Sequence, residues 1–136
     1  MIYPSIQIIV IGLLCMLSII LYGTYRCKNT EFKDPFTQSF VPPPWDKFLD
    51  GWGILHFLFY MILAYFYPTH LLLIFMMGVG WEILESYFYD HPFYLSKCNY
   101  NLSTDGVAGW WYGRWQDIVM NSLGIIVGYY LAKLNF

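Results

Sequence analysis

The feature that most constrains this chain is a set of four apolar stretches in 136 residues. The first, SIQIIVIGLLCMLSIILY from Ser5 to Tyr22, is nearly continuous apolar sequence. A helical run of roughly 20 such residues matches the hydrocarbon core of a bilayer. No Lys or Arg precedes it and no small-x-small cleavage site follows, so it reads as a retained transmembrane helix, not a signal peptide. The second stretch runs from about Gly51 to Tyr67 and stops at Pro68. The third runs from about Thr69 to Tyr89, and the fourth from about Arg114 to Leu134. The short link around Pro68 makes the second and third helices antiparallel neighbours.

Composition agrees. The chain is 58% hydrophobic and 12% charged. Soluble domains carry about a quarter charged residues. A soluble protein of this size could not hide so much apolar surface in its core. The expected fold is therefore all-α, an integral membrane bundle of four transmembrane helices. Residues 1–25 form an anchor helix, 26–50 a polar, proline-rich loop, and 51–136 a three-helix core. A net charge of −2 gives no surface for nucleic acid.

Basic residues set the expected orientation. Arg26, Lys28, Lys33, Lys47, Lys97 and Arg114 fall on the side of the first and third loops, and Lys133 alone on the other. The positive-inside rule puts loops 26–50 and 90–113 in the cytoplasm and both termini opposite. A cytoplasmic third loop would leave the sequon Asn101-Leu102-Ser103 unmodified. A Cys27–Cys98 disulfide would require both loops to face an oxidising compartment; free thiols suit the cytoplasmic topology. Cys15 reads as a packing residue.

Against this background, a few polar residues stand out. The second helix holds His56, with Tyr60 one turn on. The third holds Glu82 and Glu85. The fourth holds Asp117 and Asn121, with Arg114 at its mouth. A charge near a bilayer centre costs about 2.5–3.5 kcal/mol or more. Because the helices alternate in direction, these positions share one depth near the first and third loops. Asp117, Asn121, Gly124 and Gly128 form one helical stripe, whose glycine half admits a close neighbour. That neighbour is either a helix of the same chain or a second copy in a homodimer. The cluster has two readings: a cation held by oxygen ligands with His56 as general base, or a buried network that only fixes helix packing. Trp110, Trp111 and Trp115 read as an interfacial belt or the lining of a lipid entry path.

The pattern HFLFY (His56–Tyr60), WEILE (Trp81–Glu85) and RWQDIVMNSLGIIVG (Arg114–Gly128) resembles the VanZ-like membrane proteins. It is also similar to the core of the eukaryotic phosphatidylserine synthases. The likeness spans roughly residues 48–132. The chain departs from the synthases at Tyr112, and its Asp-x-x-x-Asn spacing fits the VanZ-like version better. The resemblance to the synthases implies a phosphatidyltransferase that exchanges a phospholipid head group for serine, dependent on calcium and without a nucleotide cofactor. It implies His56, Glu85 and Asp117 in catalysis, and Glu82, Glu85, Asp117 and Asn121 around the cation. Arg114, Tyr60 and Trp111 would contact the substrate. A VanZ-like module that binds a lipid or amphiphile without chemistry is the competing expectation. A proton or ion pathway is disfavoured, because the far half of each helix lacks polar groups.

Overall fold

The computed structural model describes residues 3–29, 33–90 and 113–135, without the side chains of 27, 28 and 88–90. Four α-helices carry the described chain: α1 (Pro4–Lys28), α2 (Gly51–Phe66), α3 (Leu71–Asp90) and α4 (Trp115–Asn135). No named strand occurs among the described residues; a single bridge pairs Ser39 with Asp50. Both α1, over Pro4–Arg26, and α4 are long and apolar enough to cross a membrane, while α2 is apolar but shorter. The helix boundaries lie within one or two residues of those expected, except that α1 runs on past Tyr22 to Lys28.

Local chemistry explains the boundaries. Pro4 occupies the first turn of α1, where its missing N–H is not needed. Asp50 caps α2, its Oδ1 accepting the Gly53 N–H at 2.7 Å. Residues Tyr67 to His70 turn the chain into α3, and the His70 N–H bonds the Tyr67 carbonyl at 3.0 Å.

The broadest helix contact joins α2 to α4, not α2 to its sequence neighbour α3. Glycine is the reason. A Cβ on Gly124 would run into the Phe57 carbonyl, and one on Gly128 into the Met61 carbonyl. With only hydrogens there, the two backbones touch, and the matched order of contacts makes α2 and α4 parallel. The glycine half of the stripe is thus used inside one chain. α3 runs antiparallel to both and meets them through Gly78, where a Cβ would lie 2.9 Å from Asn121 Nδ2 and 3.1 Å from the Tyr60 hydroxyl.

α1 is held mainly near its ends. Ile8 joins the core of Leu63, Ala64, Ile74 and Ile125, and the Tyr67 hydroxyl donates to Gln7 at 3.1 Å. At the other end Tyr22 packs edge-on against Trp52 and Phe36. Between them Leu13, Leu14, Leu17 and Leu21 are exposed, an apolar outer face suited to lipid. The loop after α1 is ordered by Asp34, which is 4% exposed. Its carboxylate accepts from Tyr22, Arg26, the Trp52 indole and the Phe36 N–H at 2.8–3.1 Å. Trp45 is 62% exposed, as an interfacial residue would be, while Phe48 packs edge-on against Trp115.

Candidate functional site

The starts of α2 and α4 and the second half of α3 meet at one end of the bundle. There the polar residues converge. Arg114 is the hub. Its Nε donates to Asp117 Oδ2 at 2.8 Å and its Nη2 to Asp117 Oδ1 at 3.0 Å. Its Nη1 donates to Asp50 Oδ2 at 2.6 Å, and Nη2 also reaches Asp50 Oδ1 at 3.4 Å. Its backbone N–H donates to Glu82 Oε2 at 2.9 Å. Gly113 makes that last bond accessible: a Cβ there would collide with Ser86 Oγ and the Glu82 carbonyl. The guanidinium fork is largely engaged inside the protein, and its side chain is 10% exposed. Within the protein it braces two carboxylates.

Beneath the brace lies the imidazole. His56 Nδ1 is 2.9 Å from Asn121 Oδ1. An amide oxygen only accepts, so in this contact Nδ1 is the donor. The same Nδ1 is 3.9 Å from Glu82 Oε1. Tyr60 stacks near the ring, with centroids 6.4 Å apart. Glu82 is 4% exposed and Asn121 1%, yet Glu82 Oε1 and Asn121 Nδ2 have no hydrogen-bond partner. Among the described residues these are the two buried side-chain polar atoms left without one. Buried polar groups are nearly always paired, so each exception asks for a ligand or water.

His56, Glu82 and Asp117 each offer one ligand atom, and these atoms lie within 4.8 Å of one another. Glu85 is outside that group. Asn121 directs its oxygen at His56, not at the carboxylates. Trp110, Trp111, Cys98 and the sequon lie outside the described residues, as does the Cys27 side chain. Asp50 was not singled out from sequence as a site residue, although an Asp directly before an apolar run is a helix N-cap signal.

Fold and site together define an all-α protein with two helices capable of crossing a membrane and a buried polar cluster at one end of its bundle. No family model, curated protein or solved structure matches the chain.

Proposed function

We propose that this protein is a membrane-embedded phospholipid head-group transferase, with all four helices crossing the bilayer and loops 26–50 and 90–113 on the cytoplasmic side. One observation carries the reading: His56, oriented by Asn121, sits beside the unpartnered oxygen of buried Glu82. A carboxylate oxygen left free beside an oriented imidazole is the arrangement proton transfer needs. In the proposed exchange an acceptor alcohol such as serine loses its hydroxyl proton to Glu82 Oε1, beside His56. Its oxygen forms a bond to phosphorus, and the bond from phosphorus to the old head group breaks. The departing alkoxide takes the proton back from the Glu82 carboxyl. The Arg114 brace keeps the carboxylates of Asp50 and Asp117 neutralised beside the reacting phosphate.

The donor set bears on the cation that the resemblance implies. Calcium takes six to eight oxygen ligands. Here both Asp117 oxygens accept from Arg114, and the third donor is an imidazole. Imidazole with carboxylate suits a zinc- or manganese-type ion better than calcium.

The test is a reconstitution. Purified protein is mixed with phosphatidylcholine or phosphatidylethanolamine vesicles, labelled serine and a panel of divalent ions, and labelled lipid is extracted. The expected result is labelled phosphatidylserine from wild type and a loss of about 100-fold or more in His56→Ala. The alternative is a non-catalytic module that holds a lipid or amphiphile. The internal engagement of Arg114 favours it, since a brace serves binding as well as chemistry. Inactive wild type that still binds phospholipid, with binding abolished by His56→Ala, would select that alternative.

A further inference from the structure

We infer that the gap between Glu82 Oε1 and Asn121 Nδ2 seats one hydroxyl oxygen, from water or from an alcohol. The two orphaned atoms belong to α3 and α4, and their carriers are 4% and 1% exposed. Both lie beside the same imidazole nitrogen: Glu82 Oε1 is 3.9 Å from His56 Nδ1, and the Asn121 amide bonds that nitrogen through its oxygen at 2.9 Å. One orphan accepts a hydrogen bond and the other donates one. A hydroxyl group does both at once: its proton goes to the carboxylate and its lone pair to the amide. A metal ion would satisfy Glu82 but face the positive end of the amide. A phosphate or carboxylate oxygen would satisfy the amide but face a carboxylate. Gly78 packs against Asn121 Nδ2 and the Tyr60 hydroxyl, so the seat has a backbone floor and suits a small group.

Water in this seat gives hydrolysis of the head group; an alcohol in it gives exchange. The part that makes the occupant the acceptor of the transfer rests on the proposed function. The existence of the seat does not.

Exchanging donor and acceptor tests it. In Glu82→Gln the Arg114 N–H holds the carbonyl oxygen of the new amide, so an NH2 group replaces Oε1 and two donors face the gap. In Asn121→Asp two acceptors face it. In the double variant one donor and one acceptor return with their places swapped, and a hydroxyl can turn around. Wild type and the three variants are melted in detergent and assayed with phosphatidylcholine vesicles, with and without 1-butanol. Each single variant is expected to lower Tm and to raise KM for butanol about 10-fold, the equivalent of about 1.4 kcal/mol. The double variant is expected to recover both to within about threefold of wild type. Butyl ester should form at the expense of phosphatidic acid, because one seat serves both acceptors. If the single variants melt as wild type does, or the double shows no recovery, the seat does not exist. If Asn121→Asp instead tightens binding of manganese or zinc, the gap takes a cation and the inference is overturned. If wild type transfers nothing to water or butanol, the proposed function falls, and the melting series still decides the seat.

Discussion

Asp34 and Glu82 are equally buried, each 4% exposed, yet they lead opposite lives. Asp34 lies in a loop and accepts from a phenol, a guanidinium, an indole and a backbone N–H. Its lone pairs are filled by the chain itself, so its role is to hold the loop onto α1 and α2. Glu82 lies in a greasy helix, accepts one backbone N–H through Oε2, and leaves Oε1 without a partner. Burial alone therefore does not mark a working carboxylate. The distinction lies in whether the protein completes the hydrogen bonding or leaves part of it for something else.

That contrast can be broken at its foundation. The surroundings of Glu82 depend directly on the contact of α2 with α4, which brings His56 to Asn121, while Asp34 is held through Trp52 to α2 alone of that pair. Gly124→Leu would force a side chain into the Phe57 and Met61 backbone and should cost about 3 kcal/mol or more. Unfolding in mixed micelles would measure it, and the surroundings of Glu82 should fail before those of Asp34. Next in size is Asp34→Ala, which strands several buried or half-buried donors. A loss of roughly 2–3 kcal/mol is expected, with catalysis per folded molecule unchanged. Asp50→Ala removes a helix cap and one side of the Arg114 brace while leaving Asp117 in place. About 1–2 kcal/mol should go, together with most activity in the reconstitution assay. The smallest stability effect belongs to Glu82→Gln, within about 1 kcal/mol of wild type, with transfer reduced about 10-fold or more. If Glu82→Gln destabilises as much as Asp34→Ala does, the two carboxylates are alike and the contrast dissolves.

The helices were legible because apolar length and helix-stopping residues are local properties. Convergence of His56, Glu82, Asp117 and Asn121 was legible because alternating direction fixes relative height. Other features depend on packing that no local pattern encodes. The GxxxG stripe left two partners open, and backbone contacts with Phe57 and Met61 decide for α2. Asp34 and Asp50 look like ordinary loop acids until the loop folds back over Tyr22 and Trp52. The pairing of Arg114 with Asp50 was hidden too, because its position at the mouth of α4 does not reveal that Asp50 comes within reach.

The polar cluster occupies one end of the bundle, while Met61–Phe66 of α2 and Leu71–Met77 of α3 are apolar up to the opposite turn. There a groove of about 270 Å³ between α1 and α2 is lined by Ile11, Phe59, Ile62, Leu63, Phe66 and Tyr67. In a bilayer this asymmetry has a geographic consequence. On the proposed function, the molecule would serve a single leaflet, and lipids of the other sheet would reach the site only after something else had flipped them across.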